Sequence, residues 1–187
     1  MIFPLMFLVR VYADDTTLIN STKCLDELLL EENWSLKLAL EWFKANCLIV
    51  SNKKTEKIIF SLSNHGLILE YNKPVKLLGI YLDSKLSWDS HVDYLCKKLS
   101  RVVYLLRKLR SSVTIDMLLT VYHALFQSQL RYGVTLWGNS TGAHRVLIWQ
   151  KKALRVIKGV SERESCLPIF KEIKIMSLPN LYIFCVC

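Results

Sequence analysis

Two adjacent aspartates, Asp14 and Asp15, lie in the stretch RVYADDTTLI between apolar residues on both sides. Neighbouring carboxylates repel each other, so keeping both ionised costs free energy unless a cation lies beside them. Mg²⁺ is the natural counter-charge, because it prefers oxygen ligands. Two such ions about 4 Å apart can activate a hydroxyl and stabilise a leaving phosphate oxygen. The pair therefore predicts metal-assisted chemistry on phosphates, although the bare dipeptide is more typical of a surface turn.

The charge balance points to an acidic partner. The chain has 187 residues, a net charge of +9 and an isoelectric point near 9.3. Such a basic protein favours nucleic acid as its partner first and an anionic membrane second. A basic protein with no acidic partner is the simpler alternative. The length suits one domain, or one and a half.

The cysteines and the N-terminal segment bear on whether the protein is intracellular or secreted. None of the six cysteines has the spacing of a zinc site, so reduced structural thiols in an intracellular protein are expected. The apolar segment Met1–Val9 is too short to span a bilayer and is predicted to be a core strand. Because the chain begins inside predicted structure, we expect a piece of something longer. A secreted, disulfide-linked protein with Met1–Ala13 as its signal is the alternative.

The first eighty residues read as mixed strands and helix, the elements that must position the aspartates. Residues 5–20 predict two strands joined at Ala13-Asp14-Asp15, because β-branched and aromatic residues dominate there. Leucines on one face predict a helix from Thr22 to Asn46. Three further strands are predicted at Lys57–Leu62, Leu67–Tyr71 and Val75–Leu82. Gly79 within the last of them indicates a bulge or a close backbone approach.

After Asp83 the pattern becomes helical and strongly basic. One helix is expected to begin near Ser87 as its N-cap and to end near Leu109. A second is predicted from Ile115 to Leu130, with Leu118, Val121, Tyr122 and Leu125 on its apolar face. A third is predicted from Ala143 to Lys158, ended by Gly159. The sequence therefore predicts an α+β protein whose α/β part and helical part meet near Asp83–Ser87.

Six blocks in a fixed order resemble the reverse transcriptases of non-LTR retrotransposons, in particular the jockey-like elements. Tyr12-Ala13-Asp14-Asp15 resembles the polymerase palm signature, and Trp42-Phe43, Asn46-Cys47-Leu48 and Lys54-Thr55 resemble the segment after it. LLGIYLDSKLSWDSHV (77–92), YHALFQSQLRYGVTLWG (122–138), LIWQKKALRVIKG (147–159) and Leu167-Pro168-Ile169-Phe170 resemble four later blocks. Ser51, or Asn52 with a shift of one residue, stands where the family usually has Asn before Lys-Thr.

The resemblance implies two functional regions along the chain. Residues 1–83 would be a partial polymerase palm of antiparallel strands plus a helix, and residues 84–187 an all-helical thumb and connection. Asp14 and Asp15 would be catalytic and would bind Mg²⁺, with Tyr12 and Lys54 near the incoming triphosphate. Leu78, Gly79 and Ile80 would belong to the hairpin that grips the primer end.

The resemblance also implies contacts with an RNA template and a DNA primer, and no membrane partner. The residues expected to follow the nucleic-acid backbone are Lys97, Lys98, Arg101, Lys108, Lys151, Lys152 and Arg155. A merely solvated basic face would have the same sequence pattern.

One departure from the family is large. The two-metal mechanism needs a third carboxylate from an earlier palm strand, and the family also has fingers that contact the incoming nucleotide. No residue of this sequence takes either place. We therefore expect Mg²⁺ binding to be weak or absent and the isolated chain not to polymerise DNA. A non-catalytic, basic, nucleic-acid-binding helical module is the alternative function.

Overall fold

A computed structural model describes residues 7–13, 15–61 and 73–187. The chain divides into two compact units, Met1–Thr55 and Glu56–Cys187, here called unit 1 and unit 2. The predicted α+β class is confirmed, because antiparallel strands and one long helix precede an all-helical region. The palm–thumb boundary expected after residue 83 concerns function and stays a prediction.

Unit 1 contains the predicted acidic hairpin and the first helix. Strands β1 (Phe7–Tyr12) and β2 (Asp15–Asn20) are antiparallel, with Tyr12 opposite Asp15 at the closed end. Helix α1 (Leu25–Ala45) lies within the range predicted for it. The Asn20 side chain donates a hydrogen bond to Ser35 Oγ at 3.0 Å, which joins β2 to α1.

The strand predicted at Lys57–Leu62 is wrong over residues 57–61, which are irregular. Its apolar residues favour a strand, but such a preference depends on tertiary context, and neither described sheet includes residues 57–61. Leu62 and the strand predicted at Leu67–Tyr71 lie outside the described residues.

The single strand predicted at Val75–Leu82 is a hairpin of two short strands, β3 (Val75–Leu77) and β4 (Ile80–Leu82). Leu78 and Gly79 both have positive φ, 46° and 85°. A two-residue type I′ turn needs positive φ at both central residues, and glycine adopts it without strain. Gly79 therefore marks a turn rather than a bulge, and the hairpin implied by the family resemblance is confirmed.

After the β3–β4 hairpin the regular elements of unit 2 are helical, and its three predicted helices are confirmed. Its elements are α2 (Asp89–Leu109), α3 (Ile115–Val121), a π-helical segment (Tyr122–Gln127), α4 (Ser128–Arg131), α5 (Val134–Trp137), α6 (Ala143–Lys158), α7 (Leu167–Glu172) and α8 (Leu178–Val186). Helix α6 has its predicted bounds, and Gly159 ends it in the left-handed conformation. Prolines lie in the first turns of α7 and α8, where no backbone donor is needed.

Asp83 organises the turn before α2, and the predicted cap Ser87 accepts a hydrogen bond from the Asp89 N–H through its Oγ at 3.3 Å. Asp83 carboxylate oxygens accept hydrogen bonds from the backbone N–H groups of Ser87 and Trp88, both at 2.9 Å. Trp88 occupies the N-cap position with a left-handed φ of 67°, and its own side chain makes no capping hydrogen bond. A carboxylate accepts several donors at once, which is why Asp83 can hold the whole turn while Ser87 accepts from the helix.

The π-helical segment changes which residues of the second predicted helix are buried. Leu118, Tyr122, Phe126 and Leu130 are fully buried, whereas the predicted core residue Leu125 is 43% exposed. A π-helical turn is wider than an α-helical turn, so residues four apart stay on one face throughout this segment. A prediction based on 3.6 residues per turn places Leu125 on the buried face of the helix, whereas the structure places it on the exposed face.

One apolar core holds the helices of unit 2 together. Helix α2 packs along α6, and α3, α7 and α8 pack against α6 as well. Trp137, Tyr122 and Phe126 are fully buried in this core, with the last two rings stacked at 5.1 Å. Gln150 and His91 are the buried polar residues among those described in unit 2, and the amide of Gln150 is hydrogen-bonded on both sides. It donates to Tyr122 Oη and the Met176 carbonyl and accepts from the Leu178 N–H.

All six cysteines lie in described parts of the chain and are free thiols. Burial raises the pKa of the Cys96 and Cys166 thiols, which keeps them protonated. The disulfide-linked alternative gains no support from this arrangement. Within the described ranges, no helix combines the length and apolar character that crossing a bilayer requires.

Candidate nucleic-acid interface

The acidic hairpin of unit 1 presents its closed end to solvent. Asp15, the first residue of β2, is exposed, and Tyr12 opposite it is 69% exposed. Ala13 in the turn has a positive φ of 53°. Asp14 lies outside the described residues. The register supports a tip at which one carboxylate and one tyrosine are accessible to a ligand.

The described residues supply only part of a magnesium site. The Asp15 carboxylate is a ligand of the type that Mg²⁺ prefers, and Mg²⁺ in proteins is often held by one or two carboxylates plus substrate phosphates. In residues 7–13, 15–61 and 73–187, no group of three or more acidic, histidine or cysteine side chains could hold a metal ion. Asp15 therefore fits as one ligand of an incomplete set.

Lys54 and the β3–β4 hairpin are the other sites that the resemblance implies. Lys54 is exposed in a turn of unit 1, where its N–H donates to the Ser51 carbonyl at 3.0 Å. In unit 2, the Tyr132 hydroxyl donates to the Leu78 carbonyl, and its ring lies against Gly79. The hairpin tip is thereby anchored to the loop between α4 and α5. Leu78 is 42% exposed and Ile80 is half-buried.

Four cationic side chains of unit 2 converge on one cavity of about 410 Å³. Lys152 and Arg155, both predicted, come from α6. Arg107 and Arg110 come from the C-terminal end of α2 and were not predicted as ligand contacts. Glu162 is the one acid in the lining. The excess of positive charge in a concave surface suits an anion, and guanidinium groups match phosphate oxygens in pairs.

The cavity walls are held by specific contacts. Arg155 donates twice to the Glu164 carbonyl, at 3.0 and 2.9 Å, and Arg107 lies 3.8 Å from Glu162. The Lys152 ammonium lies 4.5 Å from the centre of the Trp149 ring. Arg110 covers Gly159, where any larger side chain would collide with its guanidinium group. Arg155 is thus partly committed to structure, whereas Arg107, paired only at long range with an exposed acid, keeps donors for a ligand.

The other predicted backbone contacts do not line this cavity. Lys97 and Arg101 are exposed on α2, and the Lys108 ammonium lies over the Tyr104 ring at 5.7 Å. Lys151 is half-buried on α6, and Lys98 lies beside the β3–β4 hairpin. Arg107 and Arg110 were missed because helical periodicity shows only which face of a helix is apolar. It does not show where the ends of two distant helices meet.

Comparison with known proteins gives relatives of one kind. The chain is 27% identical over 169 residues to the "Probable RNA-directed DNA polymerase from transposon BS" of Drosophila melanogaster, covering 82% of this chain and 19% of that protein. It is 25% identical over 189 residues to the RNA-directed DNA polymerase from mobile element jockey of the same species, covering 91% and 20%. It is 30% identical over 147 residues to the retrovirus-related Pol polyprotein from type-1 retrotransposable element R1 of Bradysia coprophila, covering 70% and 14%.

The chain thus spans at most about a fifth of the length of these three relatives. No protein-family model and no solved structure matches it. The predicted resemblance to jockey-like elements is confirmed by the relatives.

Proposed function

Since the chain's relatives are RNA-directed DNA polymerases and a Pol polyprotein of non-LTR retrotransposons, we propose that it forms part of such a polymerase. Residues 1–83 would be part of the palm, and residues 84–187 the thumb and connection. The observation that carries this proposal is the register of β1 and β2, with Tyr12 opposite Asp15. Asp15 of the Tyr12-Ala13-Asp14-Asp15 motif thus begins the second strand directly after the turn.

In this proposal Asp14 and Asp15 contribute oxygen ligands to Mg²⁺, which would stabilise charge on the reacting phosphate. Tyr12 and Lys54 lie near the triphosphate, and the Leu78–Ile80 turn contacts the primer end. The cationic side chains of α2 and α6 bind the backbone of the RNA template and the DNA primer. This last role is supported by the cavity between Arg107, Arg110, Lys152 and Arg155.

The isolated chain is expected to bind a primer–template duplex without extending it. The two-metal mechanism needs a third carboxylate and a surface for the incoming nucleotide, and no residue of this sequence takes either place. We therefore expect nucleotide incorporation to be undetectable. Mg²⁺ should raise the affinity for the duplex slightly over EDTA at matched ionic strength. The increase should disappear in Asp14→Asn/Asp15→Asn and persist in the matched variant Asp26→Asn/Glu27→Gln, which removes two exposed acids of α1.

Primer extension and duplex binding, measured by fluorescence anisotropy with an RNA–DNA duplex, test this proposal together. Robust incorporation that is lost in Asp14→Asn would overturn the expected inactivity. Absence of any binding would overturn the role in a polymerase.

A non-catalytic nucleic-acid-binding module is the second candidate function. It is favoured by unit 2, which has its own apolar core beneath the cationic cavity. Binding through phosphates alone needs no metal ion. The module therefore predicts equal affinities in Mg²⁺ and EDTA for the chain and for Asp14→Asn/Asp15→Asn.

A further inference from the structure

Two lysines flank one tyrosine beside the β3–β4 hairpin. The Lys98 ammonium, from α2, lies 4.7 Å from the centre of the Tyr94 ring, and the Lys76 ammonium, from β3, lies 5.5 Å from it. The three residues come from two elements that are distant in sequence. Their convergence is therefore a feature of the tertiary fold and not of a single helix face.

The framework around this cluster is fixed. The Tyr81 ring, on β4, packs 4.9 Å from the Tyr94 ring. The Tyr81 N–H donates to Nδ1 of the buried His91 at 3.4 Å, which connects β4 to α2. Lys98 itself donates to Gln129 Oε1 at 3.4 Å. Both lysines thus project from backbone that other contacts hold in place.

The positive charge of the cluster is not balanced by the acids of its own elements. Helix α2 has two acids, Asp89 and Asp93, and both pair with Arg145. Asp83, which follows β4, accepts hydrogen bonds from the turn before α2. Among the ion pairs within the described ranges, neither Lys76 nor Lys98 takes part. The two ammonium groups lie 4.7 and 5.5 Å from the centre of the Tyr94 ring.

The local potential is positive at that hydroxyl. A hydrogen bond from Lys98, together with the charges of Lys98 and Lys76, lowers the pKa of Tyr94. Each lysine is attracted by the face of an aromatic ring. Two like charges drawn to one ring oppose this gain. An anion that approaches the Tyr94 hydroxyl would be attracted by both charges.

We propose that Lys76, Tyr94 and Lys98 form a second phosphate-binding site, which holds a phosphodiester group of bound nucleic acid next to the β3–β4 hairpin. The two ammonium groups would donate to the anionic oxygens, and the tyrosine hydroxyl would supply a neutral donor. The proposal rests on the proposed function, since it assigns a new contact within the same nucleic-acid interface. It lies on β3 and the first half of α2, whereas the cationic cavity lies at the other end of α2.

The test compares duplex binding by Lys76→Gln/Lys98→Gln with binding by the unsubstituted chain across a salt titration. Each phosphate contact contributes about 0.9 to the slope of log K against log salt concentration. The double variant should therefore lose about 1.8 from that slope and bind about tenfold or more weakly at 0.1 M salt. Lys171→Gln/Lys174→Gln, which removes two exposed lysines of unit 2 outside the cluster, should change neither quantity.

A second variant separates the tyrosine from the charges. Tyr94→Phe should weaken binding by a few-fold with an unchanged salt slope, because it removes a neutral donor. If the chain binds duplex and Lys76→Gln/Lys98→Gln has the same slope and affinity, the second site is refuted while the proposed function stands. If the unsubstituted chain binds no duplex, both are refuted.

Discussion

Unit 1 and unit 2 bury their apolar side chains to very different extents. In unit 1, Ser35 is the single described residue that is buried, while Trp42 is 59% and Ile49 99% exposed. In unit 2, Trp137 and Phe126 are completely buried. The concave surfaces differ in the same way. The hollow of about 390 Å³ at the end of α1 is lined mainly by apolar residues, whereas that of unit 2 is cationic.

The difference indicates that nucleic-acid binding is proposed for a well-packed part of the chain, whereas metal-dependent chemistry is proposed for a part with little buried apolar surface. The cationic surface rests on helices that share a continuous core, so its geometry does not depend on further partners. The acidic hairpin is a two-stranded ribbon with exposed apolar residues on β1, and such a ribbon is marginally stable in water. We therefore expect nucleic-acid binding to be robust in the isolated chain and metal-dependent chemistry to be its weak point.

The largest expected effect compares two tryptophans. Trp137→Ala should destabilise unit 2 by about 3–5 kcal/mol, because it leaves a cavity in the core and removes the hydrogen bond from Nε1 to the Tyr132 carbonyl. Trp42→Ala in unit 1 should change stability by less than about 0.5 kcal/mol. Urea unfolding followed by circular dichroism measures both. Equal losses for the two variants would break the contrast between the units.

Gln150→Leu tests how much the buried hydrogen bonds of Gln150 contribute to the stability of unit 2. The substitution keeps the volume but leaves Tyr122 Oη, the Met176 carbonyl and the Leu178 N–H without their buried partner. The expected loss is about 2–4 kcal/mol in urea unfolding. Tyr122→Phe removes one of the three bonds and should cost about 1 kcal/mol. A neutral or stabilising Gln150→Leu would contradict the assigned network.

The pH dependence of unit 2 should reflect His91. Burial, together with the charge of Lys98, lowers the pKa of His91 below the ordinary value of about 6.5 that applies in the unfolded chain. Between the two pKa values the unfolded state binds more protons than the folded state. The free energy of unfolding is therefore highest above pH 6.5 and decreases as the pH falls below that value. In His91→Asn this decrease should be smaller. Identical pH profiles for the two proteins would refute the assignment.

The smallest expected effect concerns the ion pairs between α2 and α6. Arg145 lies 3.1 Å from Asp89 and also pairs with Asp93, and all three side chains are at least one-third exposed. Arg145→Ala should therefore cost about 0.3–1 kcal/mol at low salt and less at high salt. A loss above about 2 kcal/mol in thermal or urea unfolding would mean that surface charge, and not the core, holds these helices together.

Much of unit 2 could be predicted from sequence because its helices are amphipathic over many turns. The leucines of α2 and the bounds of α6 follow directly from apolar spacing and from Gly159. The π-helical segment could not be predicted, since nothing in YHALFQ departs from an ordinary helical pattern. The strand expected at residues 57–61 failed because the preference of its apolar residues for a strand depends on tertiary context.

The candidate site was predicted where it depends on a local motif and missed where it depends on tertiary contact. Tyr12 and Asp15 are paired as the motif implies, and the Leu78–Ile80 hairpin is present. Arg107, Arg110 and Lys76 were missed, because each gains its role only when distant elements meet. Asp83 could have been recognised, since aspartate commonly accepts hydrogen bonds from the backbone of a turn that follows it.

The central claim is that unit 2 binds nucleic acid through the cationic cavity between α2 and α6. The most direct test is the salt dependence of duplex binding for the chain and for Arg107→Gln/Arg110→Gln, with Lys171→Gln/Lys174→Gln as the control. We predict a linear, steep decrease of log K with log salt concentration, reduced by about 1.8 in the arginine variant and unchanged in the control. Binding that is insensitive to salt, or equally sensitive in all three proteins, would contradict the claim.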